Sequence, residues 1–459
     1  MDNLTNLLIL YYIFLFFYIF YMIIVISKNK RFDMVMLVRI MYILIYGIVP
    51  IITINNIINN GIGRKTASLD LSENGIDHLL ISSILSFIGF LALELGFNVK
   101  KEFKLKNKND NENIHDDSLI RAAHVMLVIS IFSLFVWTYP FGGPIQMFKY
   151  GSIIRSGKEI SNIKNSFGFF KQFVPLAQFS SIIYLALLMK NKKKFLCLPF
   201  GISFVTSIVY LIANDGRAPF LMYIVSILVL YTRLKNKKTN KSKIKLSLSY
   251  IFIAIIGFLF ISNIYSIISF ITGIEAIETT TSTSSLKNFL FEEFSWTVRN
   301  GQAIHLAIEN GQIYRFFLEI LSALFAWLPS MFRPSWLPRL EKINTIYWHN
   351  GLTIYGGKPP DLITTSIYVF GYLGIIILPF IFGYVVKVFN NYFAKEKNNI
   401  YSDIIFVQLI YQLIKVVAYA DFAIISLNFF YLFIGHLIVK FFNRKRKKYN
   451  VMKVPKYDS

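Results

Sequence analysis

Arginines beside apolar runs are the residues whose type and position best suit chemistry on an anionic group. Arg217 ends the tetrapeptide Asn-Asp-Gly-Arg, between two apolar runs. A guanidinium stays charged in almost any surroundings and can hold a phosphate through two parallel hydrogen bonds. Arg217 is therefore the first candidate for a catalytic contact with an anion. The alternative is an arginine that snorkels to the membrane surface beside a tight turn.

Other arginines occur in similar surroundings. Arg155 follows Gly142 and Gly143 in a stretch that ends Arg-Ser-Gly157, and such glycines allow a backbone to approach a ligand closely. The remaining candidates for substrate binding lie in the long polar interval 271–362: Arg299, Arg315, Arg333 and Arg339. Together they predict an anionic substrate. The alternative for some of them is contact with lipid headgroups.

Two residues near the end of the same interval could accept a proton. They are His349 in Tyr-Trp-His-Asn-Gly and Asp361 in Gly-Gly-Lys-Pro-Pro-Asp. A general base must titrate near the working pH, which favours histidine or a carboxylate with a shifted pKa. For either residue the alternative is a capping role in a loop. The sequence has no HExxH, Walker-type loop or Gly-x-Ser-x-Gly and no His/Cys cluster, which predicts chemistry without a metal or cofactor.

The elements that must position these residues are membrane helices. The 459-residue chain is 55% hydrophobic, with a mean hydropathy of +0.53. Its continuous apolar runs exclude an outer-membrane barrel and predict an all-α polytopic membrane protein, formed by the whole chain 1–459 as one integral membrane domain. The runs are 6–27, 34–55, 79–97, 119–139, 168–189, 195–213, 218–232, 246–270, 363–386, 400–417 and 422–441.

The net charge of +23 is concentrated in short segments that follow alternate apolar runs. Such clusters mark cytoplasmic loops and contact anionic lipid, so no nucleic-acid partner is predicted. One topology satisfies all six basic segments: eleven helices, the N-terminus outside and the C-terminus inside. It makes 271–362 a large extracytoplasmic loop. The six segments lie at 28–31, 100–108, 190–194, 233–245, 387–397 and 440–456.

Short helices are predicted within this loop. Apolar residues between Leu286 and Val298 recur at spacings of three and four, which indicates an amphipathic helix. The apolar stretch 316–328 is too short to span a bilayer and predicts a re-entrant or interfacial segment. Elsewhere, Arg39 and Glu94 are expected to form an ion pair between helices. Near the outer end of the last hairpin, Lys415 and Asp421 are expected to pair locally; the alternative is that they line the site.

Three local patterns carry a family resemblance. They are Gly142-Gly143…Arg155-Ser-Gly157, Gly216-Arg217 at the head of an apolar helix, and Asp361-Leu-Ile-Thr-Thr-Ser-Ile-Tyr-Val-Phe-Gly-Tyr-Leu-Gly374. With about eleven helices and a large late outer loop, the chain resembles the O-antigen polymerase (Wzy-type) and oligosaccharide repeat-unit polymerase families. These are inner-membrane glycosyltransferases related in architecture to the O-antigen ligases, so the resemblance implies a GT-C-like fold.

The resemblance implies a reaction on the periplasmic face of a bacterial inner membrane. A growing glycan on undecaprenyl pyrophosphate would pass to the terminal sugar of an incoming lipid-linked oligosaccharide unit, yielding O-antigen or capsule-type polysaccharide without a metal. Arg217, Arg155 and Arg299 would bind the pyrophosphate. Related ligases carry His-Asn where this chain has Pro360-Asp361, which leaves the base open between Asp361 and His349. The implied partners are the lipid-linked substrate, membrane lipids and a polysaccharide chain-length regulator.

Two other functions remain open from the sequence. A ligase would move a finished glycan onto a lipid or protein acceptor. A flippase or transporter for lipid-linked oligosaccharides would carry charged or broken helices at mid-membrane, whereas these runs contain few charges at that depth.

Overall fold

The computed structural model describes residues 2–28, 33–61, 69–100, 114–150, 167–191, 193–213, 217–239, 286–329, 332–349, 357–395 and 399–452. Within these ranges all regular structure is helical. Eight helical segments there are long and apolar enough to cross a membrane: Asn3–Ser27, Met34–Asn60, Glu73–Asn98, Asp116–Phe141, Gly168–Asn191, Lys194–Ala213, Leu362–Ala394 and Phe422–Arg444. The chain is therefore a polytopic membrane protein.

Eight of the eleven predicted runs coincide with these segments. The runs 218–232 and 400–417 also form helices, of which the second is only 17 residues long. The run 246–270 lies outside the described residues. A total of eleven crossings stays a prediction.

The helices are numbered in chain order. The first seven are α1 (Asp2–Lys28), α2 (Met34–Asn60), α3 (Glu73–Asn98), α4 (Asp116–Thr138), α5 (Leu176–Asn191), α6 (Cys197–Ala213) and α7 (Arg217–Thr239). Four shorter helices follow, α8 (Leu286–Phe294), α9 (Trp296–Glu309), α10 (Phe316–Phe325) and α11 (Leu340–Trp348). The last four are α12 (Leu362–Phe370), α13 (Gly374–Lys395), α14 (Ile400–Val416) and α15 (Phe422–Met452).

Helices α3 and α13 approach each other closely along their backbones. A methyl group on Gly96 would lie 2.3 Å from the carbonyl oxygen of Phe380, and one on Gly383 would lie 2.4 Å from that of Leu93. Only glycine permits this approach, and small residues are what bring membrane helices close together. The contact fixes α13, and with it the preceding α12, against α3.

A buried ion pair joins α2 to α3, as the sequence predicts. Arg39 donates from Nε to Oε1 of Glu94 at 2.6 Å and from Nη2 to Oε2 at 2.8 Å. Tyr21 of α1 donates to the same carboxylate at 2.7 Å. Because three donors hydrogen-bond to the carboxylate, the pair can remain in the interior.

Four polar contacts group the helix ends at one side of the bundle. They join ends that the predicted topology places on the cytoplasmic face. The pairs are Asp33–Asn390, Val99–Lys387, Asp116–Lys190 and Arg233–Asp403. At the opposite side, the α14–α15 turn bonds to the start of α12: Leu362 N donates to Val417 O at 3.1 Å and Ala420 N to Pro360 O at 2.9 Å.

The short helices pack at this second side. The predicted amphipathic helix is broken at Ser295, where α8 ends and α9 begins, and its residues Leu290, Phe294 and Val298 are buried. Helix α9 packs against α3, α11 and α12, whereas α10 packs against α12 and α15. The ten-residue α10 is apolar and short, as predicted from the stretch 316–328.

Candidate functional site

Asp361 begins α12 and is 2% exposed. Its Oδ1 accepts hydrogen bonds from the Tyr46 hydroxyl at 2.7 Å and from the amides of Ile363 and Thr364 at 3.1 Å each. Its Oδ2 accepts from the Asn300 side chain at 3.0 Å and from the Thr364 hydroxyl at 2.9 Å. A carboxylate offers about four lone-pair positions, so five donors occupy all of them. These contacts are those of an N-cap.

Tyr46 reaches Asp361 from a π-helical turn in α2. Residues Leu44–Ile48 form this turn within the otherwise α-helical Met34–Asn60. A single π turn inside an α-helix is common at functional sites because it redirects one side chain. Here the Tyr46 hydroxyl also accepts from Ile363 N at 3.1 Å, so it supports the start of α12 twice.

A chain of buried side chains runs from Asp361 to Tyr368. Asn300 on α9 donates to Asp361, and its own Oδ1 accepts from Asn344 Nδ2 on α11 at 2.9 Å. Tyr368 on α12 then donates to Asn344 Oδ1 at 3.3 Å. Asn300 and Asn344 are 0% exposed. The network locks α9 and α11 against α12, because each member would cost free energy if it lost its partner.

Arg299 is adjacent to this network and is 1% exposed. Its Nε donates to the carbonyl oxygen of Trp348 at 3.1 Å and its Nη1 to Oε1 of Gln302 at 2.6 Å. Burial lowers the pKa of Arg299 to about 10, which keeps it charged at neutral pH. Gln302 in turn donates to the carbonyl oxygens of Asp70 and Gly75. Arg299 thus connects α9 to the end of α11 and to the segment before α3.

His349 follows α11 directly and is half-buried. Burial lowers the pKa of its imidazole, and the charges of Lys358 and Arg299 lower it further. The ring is therefore neutral at pH 7 and can accept a proton. Lys358 lies over the ring of Trp348, with Nζ 4.7 Å from the ring centroid. The structure thereby brings the predicted residues Arg299, His349 and Asp361 into one region. Arg299 bonds to Trp348, the residue before His349, and its neighbour Asn300 bonds to Asp361.

Arg315 lies at the N-terminus of α10, and Glu319 lies one helical turn later. The Nε of Arg315 is 3.1 Å from Oε1 of Glu319, and the two residues are 8% and 0% exposed. The Arg315 amide donates to Tyr368 O at 3.0 Å, which attaches the pair to the network on α12. Burial, together with the charge of Asp421, raises the pKa of Glu319 to about 7, although Arg315 opposes this shift.

Asp421 caps two helices rather than pairing with Lys415, so that sequence prediction is wrong. One oxygen accepts from Ala423 N at 2.7 Å and Ile424 N at 3.2 Å, and the other accepts from Glu341 N at 2.7 Å. The first set begins α15 and the second begins α11. Lys415 instead lies over the ring of Tyr411, with Nζ 3.7 Å from its centroid.

The remaining predicted arginines are distributed differently. Arg339 precedes α11, where its charge lowers the pKa of both Glu341 and Asp421 against the larger effect of burial, which raises them. Arg333 donates to the carbonyl oxygens of Leu328 and Ala326, at 3.0 and 2.8 Å, and so closes its own turn after α10.

Two of the predicted arginines remain without a described side chain. Arg217 is the first residue of α7, at the head of an apolar helix as predicted, but the position of its side chain is not described. Arg155 lies outside the described residues. Gathering of these two at the site stays a prediction.

Residues 3–342 match the family model of the O-antigen polysaccharide polymerase Wzy, which is about three quarters of the chain. The chain belongs to the O-antigen polymerase Wzy family. The protein is therefore a membrane glycosyltransferase that polymerises lipid-linked repeat units in polysaccharide biosynthesis. The family assignment favours polymerisation over the ligase and flippase alternatives.

No curated protein and no solved structure matches this Wzy-family chain. The family match ends at residue 342, before α12 and the Asp361 cap. The geometry of this chain alone therefore supports the roles assigned to its last 117 residues.

A small cleft between α1, α2, α3, α9 and α12 opens next to Asp361 in this Wzy-family enzyme. It has a volume of about 40 Å³ and is lined on its polar side by Tyr46, Ser82, Thr297 and Thr364. A volume of this size holds a few water molecules, each of which needs on the order of 10–15 Å³.

Several residues of the site could not be identified from the sequence. Tyr46, Asn300 and Asn344 are far apart in the chain and belong to none of the three patterns described above. Tyr368 lies within the Asp361–Gly374 pattern, but nothing in the sequence indicates its contact with Asn344. Glu319 is different, because its i, i+4 spacing from Arg315 is a recognised signal for a helical ion pair.

Proposed function

We propose that this polymerase joins oligosaccharide units carried on undecaprenyl pyrophosphate, at the periplasmic face of a bacterial inner membrane. The reducing end of the growing glycan leaves its lipid diphosphate, and a hydroxyl of the incoming unit's terminal sugar takes its place. Family membership supports the reaction. The site lies at the side of the bundle opposite the basic helix ends. This supports a periplasmic site, because cytoplasmic segments carry most Lys and Arg.

The observation that carries the location of the site is the convergence of the loop helices on α12. Helices α9, α10 and α11 bring Arg299, Arg315 and His349 to the same end of the bundle as Asp361, and the Asn300–Asn344 bonds hold them there. Cations at such a site stabilise the charge that develops on a departing diphosphate. Aromatic side chains nearby, such as Tyr347, offer flat apolar faces to sugar rings.

The contacts support different roles for the predicted arginines. Arg315 has an Nη2 group that is buried and without a hydrogen-bond partner among the described residues. It is therefore the arginine best suited to contact substrate. Arg299 bonds to Trp348 and Gln302, which favours positioning of the α11 end over direct phosphate binding. Phosphate binding by Arg217 and Arg155 remains part of the proposal.

The two predicted bases also differ. Asp361 is occupied by five donors, which supports a positioning role at the start of α12. His349 is half-buried and neutral at pH 7, so of the two it is better able to contact substrate. Neither role requires a metal, and among the described residues no three His, Cys, Asp or Glu side chains are grouped to hold one.

The experiment that tests the proposed function uses lipid-linked repeat units isolated from a strain that lacks the polymerase. Purified enzyme in lipid nanodiscs should convert them into a ladder of longer glycans on a gel. Arg315→Ala should reduce the ladder by at least about 100-fold in rate, because it removes the buried cation whose unpaired Nη2 group is proposed to contact substrate. Arg333→Ala is the matched control and should leave the ladder intact, since Arg333 bonds only to carbonyl oxygens of its own turn in the described structure. Unextended repeat units with wild-type enzyme would contradict the proposal.

The proposed orientation has a separate test. The chain has one cysteine, Cys197, so a Cys197→Ser variant is a cysteine-free background. Single cysteines at Tyr314 and Lys235, which are exposed at opposite sides of the bundle in the proposed topology, should differ in labelling by an impermeant maleimide applied to intact cells. Outer labelling of Lys235→Cys rather than Tyr314→Cys would reverse the topology.

A further inference from the structure

The Arg315–Glu319 pair differs from an ordinary buried ion pair because it is incomplete. Only one contact, from Nε to Oε1 at 3.1 Å, joins the two groups. The Nη2 of Arg315 and the Oε2 of Glu319 are buried, and neither has a hydrogen-bond partner among the residues that the structure describes. Buried polar atoms normally have partners, so each exception calls for an explanation. Here one donor and one acceptor of the same ion pair are left unpaired.

The surrounding helices repeat this pattern. In the described part of the chain seven buried side-chain atoms lack a hydrogen-bond partner. Two of them belong to the Arg315–Glu319 pair, and another is the hydroxyl of Thr365 on α12. Thr365 lies one turn before Tyr368, whose carbonyl oxygen accepts from the Arg315 amide. Three of the seven atoms therefore belong to the contacting helices α10 and α12. A concentration of unsatisfied groups in one place is typical of a site that binds a polar ligand.

The backbone directly before the pair is strained and exposed. Tyr314 has a φ of 61°, which places a non-glycine residue in the left-handed region, and its side chain is 73% exposed. Its ring packs against Gly371, which itself has a φ of 64°. Strain of this kind concentrates at functional sites. The pair thus lies one residue from the surface, at a turn whose geometry is held in place by α12.

We infer that Arg315 and Glu319 bind the attacking hydroxyl of the acceptor sugar and that Glu319 takes its proton. A hydroxyl is both an acceptor and a donor. Its oxygen accepts from Nη2 of Arg315, and its hydrogen is donated to Oε2 of Glu319. This assignment rests on the proposed function and names the acceptor side of the same site.

The proposed transfer forms one bond at the anomeric carbon and breaks another. The hydroxyl oxygen forms a bond to the anomeric carbon of the growing glycan, and the bond from that carbon to the lipid diphosphate breaks. The bonding electrons leave with the diphosphate. The hydroxyl proton passes to the Glu319 carboxylate and from there to solvent, which restores the ion pair.

The charged and titratable groups around Glu319 suit this role. Arg315 precedes it on α10, Tyr368 faces it from α12, and Asp421 faces it from the start of α15. Burial and Asp421 raise the Glu319 pKa to about 7. A base is most effective when its pKa lies near the working pH, because it is then ionised before the reaction and still basic enough to accept a proton.

The test measures the initial rate of polymerisation against pH, with the lipid-linked repeat unit from the polymerase-deficient strain as substrate. For wild-type enzyme, kcat/KM should fall tenfold per pH unit below about pH 7, since protonation of Glu319 removes the base. Glu319→Gln preserves size and hydrogen-bonding capacity but accepts no proton. It should lower kcat by roughly 100- to 10,000-fold and abolish the acid limb of the profile.

Three further variants make the result specific. Glu319→Asp keeps a carboxylate and should retain more activity than Glu319→Gln. Glu309→Gln removes an exposed glutamate at the end of α9 and should behave as wild type. His349→Gln tests the histidine that the sequence predicts as a base. This variant should keep the acid limb of the pH–rate profile if Glu319 is the base.

The outcomes separate the inference from the proposed function. The inference is overturned if Glu319→Gln keeps more than a tenth of the wild-type rate, or if His349→Gln removes the acid limb while Glu319→Gln retains it. In either case wild-type enzyme still polymerises and the proposed function stands. If Glu319→Gln does not fold, the pH–rate profile of Glu319→Asp is compared with that of wild type. An acid limb at the same pH in both proteins refutes the assignment of Glu319 as the base.

Discussion

Replacement of Asp361 separates a structural cap from a catalytic base. Asp361→Ala removes the acceptor for five hydrogen bonds from Tyr46, Asn300, Ile363 and Thr364. Asp361→Asn keeps one oxygen for the helix amides and Tyr46. Its amide nitrogen then faces the amide nitrogen of Asn300, and two donors cannot bond to each other.

The expected losses follow from these contacts. Loss of an N-cap costs about 1 kcal/mol, and each buried donor left without an acceptor costs about 1–3 kcal/mol. Asn300 keeps its bond to Pro359 O, and the Ile363 amide keeps the Tyr46 oxygen as its acceptor, so the full sum does not apply. We expect Asp361→Ala to lower the free energy of unfolding by about 3–5 kcal/mol. Asp361→Asn should lower it by about 2 kcal/mol, because only one donor pair conflicts.

The assay follows unfolding of purified protein in a titration with denaturing detergent, together with the polymerisation rate per folded molecule. As a control, Asp33→Asn alters the cap of α2, where, among the residues that the structure describes, the Asp33 carboxylate accepts from Met36 N and Asn390 Nδ2. Its cost should be about 1 kcal/mol. For a cap, folded Asp361→Asn should polymerise within tenfold of wild type. A stable Asp361→Asn protein that is roughly 100-fold slower would refute the capping role and restore Asp361 as the base.

Three further predictions concern other buried charges. Glu94→Ala leaves the Arg39 guanidinium buried without its carboxylate and should cost about 3–5 kcal/mol in the same unfolding assay, whereas Glu94→Ala with Arg39→Met should recover most of the loss. Asp421→Ala removes the caps of α11 and α15 together and should cost about 2–4 kcal/mol; a loss no larger than that of a single cap would show that one contact is dispensable. Because the Glu319 pKa rises from 4.5 to about 7 on folding, the native state binds the proton more tightly, and stability falls as pH rises from 4.5 to 7. The fall should be about 3 kcal/mol in wild type, at 1.36 kcal/mol per pH unit, and should be absent in Glu319→Gln; parallel curves would contradict it.

The class of the protein and most of its membrane helices could be predicted from the sequence. Apolar runs of bilayer length and the flanking Lys and Arg are local signals, and each is contained within about twenty-five residues. The Arg39–Glu94 pair was also predictable, because two opposite charges in neighbouring apolar helices must be satisfied within the bundle. The position of Asp361 before an apolar helix likewise indicated a cap as the alternative to a base.

The tertiary structure decided which polar residues meet. Tyr46 and Asp361 are 315 positions apart, and only the packing of α2 beside α12 makes them partners. Asp421 was predicted to pair with Lys415 from proximity in the chain, but the folded loop presents it with the N-terminus of α11 instead. Arg299 resembled the other loop arginines in sequence, yet α9 turns it inward to Trp348.

Membrane helices could be predicted and buried polar contacts could not, for a physical reason. A membrane helix is specified by the transfer of its own side chains into lipid, so the sequence by itself determined that this chain crosses the membrane many times. A buried polar contact depends on the positions of two helices at once, and its free energy changes sign when one partner is withdrawn. The incomplete Arg315–Glu319 pair illustrates both parts of this argument. Its i, i+4 spacing is visible in the sequence, but only the fold shows that one donor and one acceptor remain unpaired in the described structure.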